Sequence, residues 1–398
     1  DPNAWVKDDT IPVTNSNVLV QGKPGTGKSA TVKSAVLRLA DFGYRTMILG
    51  DPKDEYEGLC HFLGEEPIVV GPGHPNRVNP LDFGPLARRW DDLSAEEVQQ
   101  RTTTVFNRWS TVLRGLIGSQ RIGQEHIPVT PTDDRVLMEA LRTLTGYTDG
   151  YTRLAETTIP QLWHALNNPT DDLVSDCRFA TAQQFLDETR LLRDALAKLV
   201  KGELAGMFDD HTNIKINWNA PITSLSLSRI SDEAMGIALT CVNSWGRGMR
   251  ELAEPGDMRL VIRDEVWRQM RQGPEAVKSF DADLRLSRKD GDIQIAVAHK
   301  PSDWLSVGDA GSQAVQIAKD MLHLAATKIL CGQDAEVAGQ LNELLDLGPI
   351  GTDLVTGWCR QDRGRAVWML GDRLYKVKTI LTPLERELTY TNAALEAA

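Results

Sequence analysis

Cysteine is scarce in this chain: five in 398 residues, at Cys60, Cys177, Cys241, Cys331 and Cys359, with no CxxC pair. That scatter supports neither a disulfide framework nor a zinc site, and it suits reduced, mostly buried thiols in a cytosolic protein. Long apolar runs are missing as well. None approaches the roughly 18 residues that a membrane span needs, and no secretory leader is visible. Basic charge is also short: 44 Lys and Arg stand against 55 Asp and Glu, for a net charge of −11. This argues against a broad DNA-coating surface, although a local basic channel can hide in an acidic total. The sequence contains no internal repeat and no low-complexity tract. It opens on Asp1 rather than methionine and reads as a piece of a longer protein. What remains is an ordinary globular composition, 41% hydrophobic and 25% charged, at a length that suggests two domains.

The stretch that organises the chain is Gly22-Lys23-Pro24-Gly25-Thr26-Gly27-Lys28-Ser29, which fits the phosphate-loop pattern G-x-x-x-x-G-K-[ST] at every fixed position. Asn17 to Gln21 before it is a β-branched apolar run that predicts a buried strand. Ala30 to Leu39 after it predicts a helix, with Val32, Ala35, Val36 and Leu39 on one face. In that context the glycines let backbone N–H groups curl around phosphate oxygens at the positive end of a helix. Lys28 reaches the β- and γ-phosphates, and the Ser29 hydroxyl ligates Mg²⁺. No base-reading motif is evident, so ATP and GTP stay open.

Residues 1–85 read as the first part of an α/β domain, with a second strand at Arg45 to Leu49 and a third apolar run at Pro67 to Val70. From 86 to 212 the pattern turns helical. Val105, Trp109, Val112 and Leu116 mark one helix, and Val136, Leu137, Ala140, Leu141 and Leu144 mark another. A third runs through Phe185, Thr189, Leu192, Leu196 and Leu199 to a stop at Gly202. This block predicts an all-helical insertion. Residues 213–385 return to strands alternating with helices: a strand from Ile222, a helix from Asp232 to about Leu252, then strands near Arg259–Asp264, Asp292–Ala298, Thr327–Cys331 and Arg365–Leu370. Alternation of this kind predicts a mostly parallel sheet covered by helices on both faces. Residues 386–398 read as a loosely held tail.

Phosphoryl transfer to water needs a second anchor for the metal and a base. Leu260-Val261-Ile262-Arg263-Asp264-Glu265 is an apolar run ending in two carboxylates. Asp264 suits the metal and Glu265 the attacking water. Arg263 falls on the opposite face of that strand from Asp264 and requires a partner there. The strand from Ile222 is expected between the two motif strands. Asp51-Pro52-Lys53-Asp54-Glu55-Tyr56 and Asn79-Pro80-Leu81-Asp82 read by themselves as polar turns. His299 stands at the tip of the strand after the Asp-Glu pair, where a polar group is able to sense a γ-phosphate.

Taken together these motifs resemble the VirB/TraC-type ATPases of type IV secretion and conjugation, within the wider HerA/FtsK superfamily of P-loop NTPases. The order is a phosphate loop, then Asp-Pro-x-x-Glu-Tyr, Asn-Pro-Leu-Asp, a helical insertion closed by Gly202 to Phe208, and Asp264-Glu265-x-Trp267. The resemblance spans nearly the whole chain as the C-terminal ATPase half of such a protein. It implies a RecA-like α/β fold, ATP and Mg²⁺ as cofactors, and a homohexamer at the cytoplasmic face of the membrane. It also implies membrane-associated secretion-channel components as partners, and a transported protein or nucleoprotein as cargo. Direct DNA binding stays open. By position, residues Gly22 to Ala30 cradle the phosphates, and Asp51 and Glu55 form an acidic pair near the nucleotide. His299 replaces a sensor Gln, and Arg288 is the first candidate for an arginine finger, with Arg365 the second. The alternatives are a DNA-translocating coupling protein or chromosome translocase, and a nucleotide-gated assembly scaffold.

Overall fold

The computed structural model describes residues 1–84, 90–123, 125–147, 153–214, 217, 219–250, 257–305 and 312–390, without the side chains at 249 and 288–290. The chain divides into two compact units. The first takes Asp1–Pro67, Asn217–Ser226 and Glu254–Ala398, and the second takes Ile68–Ile216 and Leu227–Ala253. The second unit is therefore wider than an insertion at 86–212, because it also includes 68–85, 213–216 and 227–253.

Among the described residues the first unit is built on eight strands: β1 (Val18–Gln21), β2 (Arg45–Asp51), β3 (Ile222–Ser226), β4 (Arg259–Arg263), β5 (Asp292–Ala298), β6 (Thr327–Cys331), β7 (Arg365–Leu370) and β8 (Arg373–Lys378). Their spatial order is β8-β7-β6-β1-β5-β4-β2-β3. The six strands from β3 to β6 run parallel. β7 and β8 are antiparallel additions at one edge. The α/β, mostly parallel sheet is as expected, but the strand between the two motif strands is β5 rather than β3. All seven residues of β5 are buried, which suits a strand with neighbours on both edges and helices on both faces. β3 lies outside β2, and it carries the Thr223, Ser224 and Ser226 hydroxyls that a central strand would lack. All five cysteines are buried and unpaired.

Two apolar layers sandwich this sheet. On one side Val32, Val36 and Leu39 of helix Lys28–Ala40 pack with Val20, Ile48, Leu260, Ile295 and Ile329. On the other, Val277, Phe280 and Leu284 of helix Pro274–Asp290 pack with Leu19, Ala296, Leu330 and Met321. Arg263 finds its partners on the second side: Asp283 by an ion pair, Gln269 at 3.0 Å, and the Phe280 ring 4.8 Å from the guanidinium. Residues 386–389, assigned to the loose tail, belong to helix Pro383–Thr389 instead. Thr382 and Glu385 close its first turn as a reciprocal cap. The same Glu385 carboxylate accepts from Ser34 at 3.0 Å and from Arg38 at 2.6 Å, which ties the end of the chain to helix Lys28–Ala40.

The second unit is mainly helical, and the all-helical expectation is corrected by one short antiparallel pair, Arg121–Ile122 with Glu125–His126. Its longest elements are Ala95–Gly118, Pro131–Thr145, Arg190–Lys201 and Met235–Arg250. The stripe from Phe185 to Leu199 is split at Thr189 into helices Ala182–Glu188 and Arg190–Lys201, while Gly202 caps the second. The Asn79–Asp82 turn is buried at their centre. Asn79 donates to the Thr157 carbonyl at 2.8 Å, and the Leu81 carbonyl accepts from the Trp109 indole at 2.8 Å. The motif thus stitches helices together by satisfying backbone groups that would otherwise be buried alone.

Candidate nucleotide site

Every residue of the candidate site belongs to the first unit. β1 delivers the chain into the glycine loop, and Gly27 turns it into helix Lys28–Ala40 from a left-handed φ of 99°, a conformation that favours glycine. A Cβ on Gly27 would stand 2.7 Å from the Gly364 nitrogen, and one on Gly22 would stand 2.5 Å from Cys331 Cβ. Both contacts are below what real Cβ atoms tolerate, so packing alone requires two of the motif glycines. Lys28 is buried and donates to the Gly22 carbonyl at 2.6 Å and the Lys23 carbonyl at 3.2 Å. Its pKa is lowered by burial, partly offset by Cys331, Asp264 and Glu55. Lys23 and Pro24 are exposed at the loop's tip, where Lys23 pairs with Asp334 at 2.7 Å. Ser29 and Ala30 are half-buried in the first turn of the helix.

The ends of β2 and β4 bring the carboxylates together. Asp51 accepts from the backbone nitrogens of Lys53 at 3.2 Å, Glu55 at 3.1 Å and Tyr56 at 2.9 Å. Its carboxylate therefore shapes the turn that presents Lys53 and Glu55. The Tyr56 hydroxyl donates to Asp264 at 3.2 Å. Burial, with the Glu55 charge next, pushes the Asp264 pKa up to about 6. Glu55 Oε2 is buried without a hydrogen-bond donor, although the fully buried Lys33 ammonium lies 3.9 Å away. Crowded carboxylates of this kind, one raised and one with an orphaned oxygen, fit a site that takes a cation. Ser29 and Asp264 are the residues that would hold Mg²⁺ with the phosphates.

Glu265 sits at φ +48°, a strained conformation for a non-glycine residue. Its buried carboxylate pairs with Lys53 on one oxygen and accepts from Arg268 at 2.6 Å on the other. Burial raises its pKa, but the two cations outweigh that and leave it below the usual carboxylate value. His299 is joined to the cluster through its charges. Its backbone nitrogen donates to Asp303 at 2.9 Å, and its carbonyl accepts from Gln333 at 2.7 Å. Burial first and the Lys28 charge second lower its pKa, so the ring is neutral near pH 7, and its buried Nδ1 has no hydrogen-bond partner.

The two finger candidates are placed differently. Arg288 lies in helix Pro274–Asp290, and its side chain is outside the described residues. Arg365 opens β7 and is engaged at home, by Gln361 at 2.9 Å and by the Trp358 ring 5.1 Å from its guanidinium. Sequence reasoning did not single out Lys53, Arg268 or Lys33. Lys53 lay inside a quoted motif, but nothing in the chain pairs it with a carboxylate 212 residues away.

A parallel sheet with a phosphate loop at one strand end and paired carboxylates at another defines a P-loop NTPase fold. The chain shares that fold with VirB4 of Thermoanaerobacter pseudethanolicus at 19% identity and TM-score 0.70, covering 94% of this chain and 91% of that one. It also shares it with the plasmid coupling protein TrwB in complex with ADP and Mg²⁺, at 16% identity and TM-score 0.62, covering 94% and 88%. The complex of TrwB with ADPNP aligns at 16% identity and TM-score 0.64, covering 92% and 86%. No family model matches. An uncharacterized protein of Streptomyces coelicolor is 29% identical over 126 residues, 31% of this chain and only 29% of that protein's length.

Proposed function

We propose that the chain is an ATP-hydrolysing motor subunit of a type IV secretion or conjugation apparatus. The observation that carries this reading is the convergence of Lys28, Glu55, Asp264, Glu265 and His299 at the strand ends of a sheet shared with VirB4 and TrwB. In the proposed reaction a water attacks the γ-phosphorus, its proton passes to a carboxylate of the cluster, and ADP leaves. Lys28 holds the β- and γ-phosphates, while bound Mg²⁺ supplies further positive charge. Glu265 is the assigned base, and the neutral His299 ring is the assigned sensor.

The ADP, Mg²⁺ and ADPNP complexes of TrwB support ATP and Mg²⁺ as the ligands here. By the same likeness we assign the chain to a homohexamer that works with membrane-associated channel components at the cytoplasmic face. No helix among the described residues is long and apolar enough to cross a membrane. We assign ATP hydrolysis to the unit made of Asp1–Pro67, Asn217–Ser226 and Glu254–Ala398, and treat the other unit as the helical domain.

The likeness to TrwB favours a second reading, a DNA-pumping coupling protein. Phosphate release by the purified oligomer, with and without double-stranded DNA, separates the two. A rate indifferent to DNA supports the secretion motor, and several-fold stimulation supports the DNA pump. An assembled oligomer that binds ATP without releasing phosphate overturns both and leaves a nucleotide-gated scaffold.

A further inference from the structure

Helix Lys28–Ala40 carries two buried lysines. Lys28 closes the phosphate loop. Lys33 leaves the helix in another direction, because five residues span about 140° of turn. Its side chain is 1% exposed, although a lysine stem normally lets the ammonium reach water. The ammonium ends 3.9 Å from Glu55 Oε2 and 5.4 Å from the centre of the Tyr56 ring. Burial lowers its pKa, and the charges of Glu55, Asp51 and Asp264 act against that.

Burying an ammonium is costly unless its charge is compensated, and an apolar side chain would fill the same space at less cost. The compensation here takes a particular form. At 3.9 Å the ammonium is too far to donate a hydrogen bond, so Glu55 Oε2 stays without a donor. Lys33 thus offsets the charge of the carboxylate without occupying its lone pairs. Glu265 is the contrast, with Lys53 on one oxygen and Arg268 on the other at 2.6 Å.

The turn that carries Glu55 is fixed from its other side. The Glu55 backbone nitrogen donates to Asp51 at 3.1 Å, and the Tyr56 hydroxyl donates to Asp264 at 3.2 Å. Tyr56, Leu59 and Cys60 share one apolar cluster with Val32 and Val36, the neighbours of Lys33 on its own helix. A carboxylate held this way can move little, and one of its oxygens lacks a donor.

We propose that Lys33 is a positioning residue for hydrolysis: its buried ammonium holds the Glu55 carboxylate in place and leaves it open to accept a hydrogen bond from the attacking water. Lys33 itself, being buried, touches neither phosphate nor water. Glu55 orients the water, and Glu265 accepts its proton. The inference rests on the reading of this cluster as an ATP-hydrolysing site.

A double-mutant cycle on phosphate release, read beside ADP titration of the same intact proteins, tests this. Lys33→Met keeps most of the side chain's length and removes its charge. It should lower kcat by at least about tenfold through lost orientation of the water, while KM and ADP affinity stay within about threefold of the wild type. Retained ADP affinity also shows that the variant is folded. Glu55→Gln should lose a comparable factor in kcat. Because Lys33 acts through Glu55, the double variant should turn over within about twofold of Glu55→Gln alone. Turnover near the wild-type rate in either single variant overturns the proposal, and so do losses that multiply in the double variant. ADP affinity that falls together with turnover in Lys33→Met overturns it too, by giving Lys33 a purely structural role. If the wild type binds ADP but releases no phosphate, the hydrolytic reading fails first and takes this inference with it.

Discussion

Lys53 and Glu265 form an ion pair at the candidate site, joining the turn after β2 to the tip of β4. Arg268 holds the second carboxylate oxygen at 2.6 Å. A carboxylate gripped by two cations is a weak base, so a Glu265 that takes a proton from water must first lose part of that grip. Lys53 is the contact to break, because its side chain is half-exposed whereas that of Arg268 is mostly buried.

Lys53→Met should therefore shift the pH dependence of turnover. Pairing favours the ionised form and depresses the Glu265 pKa, so removing one partner raises it. The acid limb of the kcat/KM profile is expected to move to higher pH, while Lys53→Arg should leave it near the wild-type position. An acid limb that stays in place in Lys53→Met would assign it to another group.

Glu265→Gln should retain nucleotide binding and lose hydrolysis, since an amide cannot accept the proton. A binding titration beside a phosphate-release assay checks this. Loss of both would give Glu265 a structural role, and retained turnover would pass the base to Glu55, whose Oε2 is buried without a donor.

Asp264 gives a stability prediction with a defined sign. Its folded pKa is about 6, above the ordinary 3.8. Between those values the folded state binds more protons than the unfolded state, so stability falls as pH rises through the window, and the penalty is complete above it. Asp264→Asn removes the penalty. Chemical denaturation of the ligand-free protein should show a gain of about 1–2 kcal/mol near pH 8 and almost none near pH 3.5. Turnover should be lost at both. A variant less stable than wild type near pH 8 would mean that the carboxylate is fully compensated by its neighbours.

Much of this site was legible because its chemistry is local in sequence. Gly22–Ser29 and Leu260–Glu265 each carry their own strand and turn signals, and β5 carries the apolar run Ile295 to Ala298. What was not legible depends on register or distance. The position of β5 between β1 and β4 follows from parallel pairing of Val18 with Ile295 and of Leu260 with Ile293, which no spacing encodes. β8 escaped notice because it is a solvent-facing edge with charged Arg373, Lys376 and Lys378, the composition by which edges are kept from pairing with other chains. The C-terminal helix did carry a signal, Thr382 followed three residues later by Glu385, the pattern of a reciprocal cap.

Arg288 can be tested without its side-chain position. If a ring forms, a cation from one subunit can neutralise charge on its neighbour's γ-phosphate, and such fingers are worth roughly 10³–10⁵ in rate. Arg288→Ala and Lys28→Ala should each be inactive alone. Mixed under conditions of confirmed subunit exchange, they should regain part of the activity, because some interfaces then hold both intact halves. A mixture as inactive as its components would remove the finger role across subunits and leave Arg365 to be tested in the same way.

The most direct test of the central claim, that Gly22–Ser29 and the carboxylates beside it hydrolyse ATP, is Mg²⁺-dependent phosphate release by the wild type and by Lys28→Ala. Loss of the buried ammonium, which lies within the charge field of Asp264 and Glu55, is expected to reduce release by at least about a hundredfold. Release by Lys28→Ala at a rate close to the wild type would contradict the account.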